Sequence, residues 1–222
     1  MKRSATKTSK AMLICDKKFS WLRPVFNELG HWIEDFIDWH DDEAAGDLGE
    51  PPYWNNETAS VSMLVAAAAQ RRFKTLADYR TDKKKKGKTV NGRADLFIGH
   101  GDDWLEIEAK QINLVPKSGP QRLQDAIRSA KHDASCLAGQ DPRAALVFAV
   151  MNIDAKDEQE NWKPTAFLEQ FDAVNDAALK WVWYDTSVDK RYGFEGGTRR
   201  YPGLGIFLFD VQPSRKSSRK PK

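Results

Sequence analysis

Asp95, Glu108 and Lys110 are the residues whose types and spacing fit a reaction. They lie in one stretch, NGRADLFIGHGDDWLEIEAKQ, running from Asn91 to Gln111. Alternating apolar and polar residues predict a strand over 94–98 and another over 104–111, joined by a tight turn at 99–103. Successive side chains leave a strand on opposite faces. Leu105, Ile107 and Ala109 therefore share an apolar face, and Glu106, Glu108 and Lys110 share a charged one. Pairing the strands as a hairpin brings Asp95 beside Glu108 and Lys110. Two carboxylates on neighbouring strands offer hard oxygen ligands to Mg²⁺ or Mn²⁺ and leave open positions for water and a phosphate oxygen. Such a cation polarises a phosphoryl oxygen and lowers the pKa of its water. Lys110, about 6.5–7 Å further along the same face, is placed to position that water or offset charge on the phosphate. The chemistry indicated is metal-assisted phosphodiester hydrolysis. A plain hairpin with one solvated face shows the same alternation, so the flanking elements carry much of the weight.

Those elements form an α/β pattern. Val25, Phe26, Leu29, Trp32, Ile33, Phe36 and Ile37 recur at three- and four-residue steps and predict an amphipathic helix over 24–40. A second helix is expected from Asn55 or Asn56, either a good N-cap, to about residue 79. Glu57 is the only carboxylate in its first five turns. Residues 81–88 read as a loop holding Lys83, Lys84, Lys85, Lys86 and Lys88, which suit a phosphate backbone or simply water. Asn91-Gly92 reads as a turn, and Arg93 as a guanidinium fork on the site side. A helix over 119–137, with Ser118 and Gln121 as a capping pair, carries Arg122 off its buried stripe. The apolar run AALVFAVMN over 144–152 predicts a strand buried on both faces. A helix over 164–178 and strands over 181–184 and 204–209 extend the sheet. His40 to Glu43 reads as a solvated helix exit, and the Gly- and Arg-rich 189–202 as a surface loop.

Asp95 followed by Glu108-Ala109-Lys110 resembles the motif of the PD-(D/E)XK nuclease superfamily, with Ala94 where many members have proline. The resemblance implies a restriction-endonuclease-like α-β-β-β-α-β core over about 55–152. Its mixed central sheet is flanked by helices, with the first helix and a C-terminal α/β extension added. It further implies a Mg²⁺- or Mn²⁺-dependent nuclease acting on nucleic acid, DNA above all, as an endonuclease in defence, repair or mobile elements. Asp95 and Glu108 would bind the metal and Lys110 would assist the nucleophile. Glu57 would be a further ligand from the preceding helix, and Glu106 a secondary candidate. The alternatives are an inactive nuclease-like module that binds nucleic acid, or a protein-interaction module.

The chain has 222 residues, eight Trp and eleven Phe, enough for a folded core. Its two cysteines exclude a disulfide framework and fit a reducing, cytoplasmic setting. No apolar run is long enough to span a membrane. The net charge of +3 conceals nine positive charges and no acid in residues 1–10 and 212–222, leaving −6 for residues 11–211. Residues 1–16 and 212–222 are therefore expected to be disordered basic tails around one domain over 17–211. The first helix offers a surface for a homodimer.

Overall fold

The structure is a computed structural model that describes residues 9–40, 51–115, 119–154, 164–185 and 199–212. A seven-stranded mixed sheet lies between two layers of helices. Its strands are β1 (Ser9–Cys15), β2 (Lys74–Lys85), β3 (Lys88–His100), β4 (Asp103–Leu114), β5 (Arg143–Met151), β7 (Leu179–Asp185) and β9 (Gly203–Asp210). Their order across the sheet is β1-β7-β9-β5-β4-β3-β2. Short strands β6 (Ile153–Asp154) and β8 (Arg199–Arg200) pair separately. The helices are α1 (Arg23–His40), α2 (Glu57–Gln70), α3 (Gly119–Ser135) and α4 (Pro164–Asp172).

Both helix layers follow from apolar stripes. Leu29 and Ile33 of α1 and Leu64 and Ala68 of α2 bury against Leu105, Ile107 and Ala109 of β4 and Trp181 and Ile206 of the far strands. On the other face, Leu123, Ile127 and Ala130 of α3 and Phe171 of α4 cover Ala145, Val147 and Phe207. Every residue of β5 is buried, as its unbroken apolar run requires. The α3 crossover makes β5 parallel to β4, and β9 pairs antiparallel to β5.

Three expectations are corrected. Ser9–Cys15 is not tail: it pairs with β7 as an edge strand. Residues 11–15 are all apolar, yet Met12 and Ile14 are exposed, so the run lacks the apolar-polar alternation that marks a half-buried strand. The second helix ends at Gln70 rather than near 79, because Arg72 turns left-handed (φ 61°) and the chain reverses into β2. Residues 81–88 are not a loop. They form a hairpin that turns at Lys86-Gly87, both at positive φ, so Asn91-Gly92 lies within β3. Most of the hairpin's outer half is exposed, which erases the period-two pattern. Residues 1–8, 41–50, 116–118, 155–163, 186–198 and 213–222 lie outside the described residues. With them fall the outer tail segments, the 41–43 acids, Ser118 and most of the 189–202 loop.

Arg143 ties the end of α3 to the start of β5. It is 2% exposed, and its guanidinium donates to the carbonyl oxygens of Leu137, Gly139 (3.1 Å) and Asp141 (3.2 Å). Arg143→Met would leave those acceptors without their donor and should cost about 2–4 kcal/mol. Urea denaturation measures it, and a loss near zero would show that the carbonyls find other partners.

Candidate functional site

The site forms where β3 leaves β4. The two strands pair only from Leu96↔Ile107 to His100↔Asp103. Beyond that, β3 continues with β2 alone, and β4 continues with β5 alone. The N–H groups of Ala109 and Gln111 thus lose the strand partner a continuous sheet would supply. Carboxylates replace it. Asp95 Oδ2 accepts from Ala109 N–H at 2.7 Å, and Glu57 Oε2 accepts from Gln111 N–H at 3.0 Å. Part-buried backbone donors are met by acceptors, and here both acceptors are carboxylates.

Glu57 is brought there by the start of α2. Asn56 caps that helix by accepting from Ala59 N–H at 2.9 Å. The Gln111 side chain fixes the approach: its Nε2 donates to Tyr53 O (3.0 Å) and its Oε1 accepts from Ser60 Oγ (2.6 Å).

Glu108 and Lys110 face α3, as alternation requires. Glu108 is 3% exposed. Lys83 Nζ sits 2.7 Å from its Oε1, an ion pair. Lys110 Nζ lies 3.2 Å from Asp133 Oδ2 on α3. Asp133 is a site residue that sequence reasoning missed. An Asp among the polar residues of an amphipathic helix carries no motif. Glu106 is buried one step along β4, where its Oε1 accepts from the Tyr79 hydroxyl at 2.8 Å. Burial and this carboxylate push the Tyr79 hydroxyl pKa upward.

The charges act on one another. Burial raises Glu108, Lys83 pulls it down, and Asp95 and Asp133 add to the rise, leaving its pKa at about 7. Burial raises Glu57 too, with Lys110 opposing and Asp95 and Asp133 adding to the rise. Burial alone would lower Lys110, but Glu57, Asp133 and Asp95 outweigh it, and its pKa is raised. Four carboxylates (Glu57, Asp95, Glu108, Asp133) thus face two ammonium groups (Lys83, Lys110), a formal excess of two negative charges. Among the described residues, no three His, Cys, Asp or Glu side chains converge closely enough to hold a metal ion as they stand.

The expected nucleic-acid contacts divide. Lys85, Lys86 and Lys88 are exposed on the hairpin, Lys84 is partly buried, and Arg122 is exposed on α3. Lys83 turns inward instead, because Glu108 needs a counter-charge. Arg93 does not offer its fork to the site: it clasps the carboxylate of Asp78 and donates to Asp78 O at 2.9 Å. Asp78 sits at φ 48° on β2, at the level of Asp95.

Comparison with models of protein families found no match, and no significant match was found among curated proteins or solved structures. No described helix is long and apolar enough to cross a membrane.

Glu108 sets a pH dependence. A carboxyl whose folded pKa exceeds its ordinary value of 4.5 takes up a proton on folding. Its stabilising contribution is complete below that value and is lost as pH rises to about 7 and beyond. Without divalent cation, stability should fall by roughly 1–3 kcal/mol between about pH 5 and pH 8 from this group. Glu57 acts in the same direction. Glu108→Gln should remove most of the fall. Urea denaturation in EDTA at both pH values tests it, and an equal fall in wild type and variant would refute the assignment.

Proposed function

We propose that this protein is a metal-dependent nuclease of the PD-(D/E)XK kind, cutting nucleic acid, DNA above all, as an endonuclease. The observation that carries this reading is the gap beside β4. There Asp95 and Glu57 flank the strand at alternate backbone positions, while Glu108 and Lys110 project beside them. The order α2-β2-β3-β4-α3-β5 supports it, since it is the element order the resemblance implies for a restriction-endonuclease-like core.

Asp95 and Glu108 would hold Mg²⁺ or Mn²⁺, with Glu57 as a further ligand. The donors are hard oxygens, and the excess of two negative charges matches a divalent cation. The cation would supply Lewis acidity toward a phosphoryl oxygen and a bound water of lowered pKa. The chain's own groups do the rest. Lys110 is held as an ammonium by Glu57, Asp133 and Asp95, so it donates hydrogen bonds rather than accepting a proton. It therefore suits orienting a water or meeting charge that builds on phosphate. Asp133 is a positioning residue, acting through its contact with Lys110. The exposed lysines of the hairpin and Arg122 would track the phosphate backbone.

A second reading, a nuclease-like module that binds nucleic acid without cutting it, is favoured by one observation: Lys83 sits on Glu108, where a metal would bind.

Purified protein should nick supercoiled DNA with Mg²⁺ or Mn²⁺ and not with EDTA. Asp95→Asn and Lys110→Ala should each slow cutting by about 100-fold or more with the fold intact by circular dichroism. Cutting by Lys110→Ala at the wild-type rate would sink the nuclease reading. Salt-sensitive binding with no cutting would favour the second. Replacing Lys85, Lys86 and Lys88 by alanine should flatten the plot of log affinity against log salt, by roughly 0.9 for each phosphate no longer neutralised. An unchanged slope would take the hairpin out of the interface.

A further inference from the structure

The sequence places Lys83 among loop lysines open to phosphate or water, yet its ammonium reaches a carboxylate that is almost wholly buried. The fold works to put it there. Lys84 N–H donates to Cys136 O at 2.6 Å, and Ala138 N–H donates to Asp82 O at 2.8 Å, with a bridge between Lys83 and Leu137. These bonds fasten β2 to the end of α3, on the segment that Arg143 holds from the other side. Gly92 of β3 leaves room for the lysine stem: a Cβ there would come within 2.8 Å of Lys83 Cγ and Cδ. Any other residue at this position would force the stem aside. Lys83 is therefore held at the site by its backbone, and the missing Cβ of Gly92 leaves its stem the space to lie there.

Building on the nuclease reading, we infer that Lys83 is a resident counter-ion standing in the cation's place on Glu108. A divalent cation must displace it, and the displaced ammonium then faces the phosphate. Glu108 is too buried to stay ionised without a partner, and Lys83 supplies one in contact. A cation held by Asp95 and Glu108 would compete for the same oxygen. Because the hairpin is fastened to α3, the ammonium cannot leave the neighbourhood. It swings on its own side chain and remains as a positive charge beside the carboxylates, where a phosphate would enter. The same pairing keeps the apo site folded without exposing four mutually repelling acids.

The test uses the intact protein and Mn²⁺ alone. Lysine acetylation followed by mass spectrometry should show Lys83 protected without cation and labelled several-fold faster with saturating Mn²⁺. Lys85 and Lys86 should not change. Calorimetry on the same sample reports whether Mn²⁺ binds. Binding with Lys83 labelling unchanged overturns this inference and leaves the nuclease reading standing. No binding at all overturns both, and Lys83 is then a structural ion pair. Lys83→Met should bind Mn²⁺ several-fold more tightly than Lys85→Met, which removes the same charge from the exposed tip, and yet cut DNA more slowly than wild type. Tighter binding with undiminished cutting would overturn the phosphate-facing role. Equal affinity in the two variants would overturn the competition.

Discussion

The structure turns on the parting of β3 from β4. A sheet that opens between two strands leaves backbone N–H groups without their ladder partners, and part-buried donors of this kind are met by other acceptors. Asp95 and Glu57 meet two of them, Ala109 and Gln111. Hydrogen bonds to a charged acceptor are the stronger kind, so the same interaction closes the edge of β4 and concentrates negative charge at one point. The repair of the sheet and the making of the site are one event.

Two elements hold the opening. On one face, α2 starts over it, its position fixed by the Asn56 cap and by Gln111, which joins Tyr53 and Ser60. On the other face, the hairpin of β2 and β3 curls onto the end of α3. Asp78, in a left-handed conformation that Asp tolerates better than most residues, lies where β3 leaves the sheet. Arg93 grips its carboxylate and its carbonyl. That clasp explains why a guanidinium two residues from Asp95 does not serve the site.

Burial decides how the charges behave. Glu108 is nearly closed to water, and its proton affinity rises accordingly. Lys110, half-buried as well, moves the other way from what burial dictates because three carboxylates surround it. The cluster is therefore unbalanced in the direction that attracts cations. Lys83 offsets part of that imbalance.

Much of this was legible in the chain. Period-two alternation located β4 and the inner part of β3, over 94–98, the three- and four-residue stripes located α1 and α3, and an unbroken apolar run identified β5. These signals are local: they arise from a residue's own burial and its neighbours' spacing. What tertiary structure alone decided is non-local. Four consecutive lysines carry no periodicity, so the sequence could not tell a hairpin from a loop. Nor could it show that Lys83 turns inward while Lys85 and Lys86 stay out, since that depends on Gly92 and on the end of α3, 44 residues from Gly92 at Cys136. Asp133 entered the site for the same reason: one helix turn set it against Lys110 only once the crossover had packed α3 on β4. Residue types and local period named the chemical groups, and the long-range packing of the sheet determined which charge stands beside which.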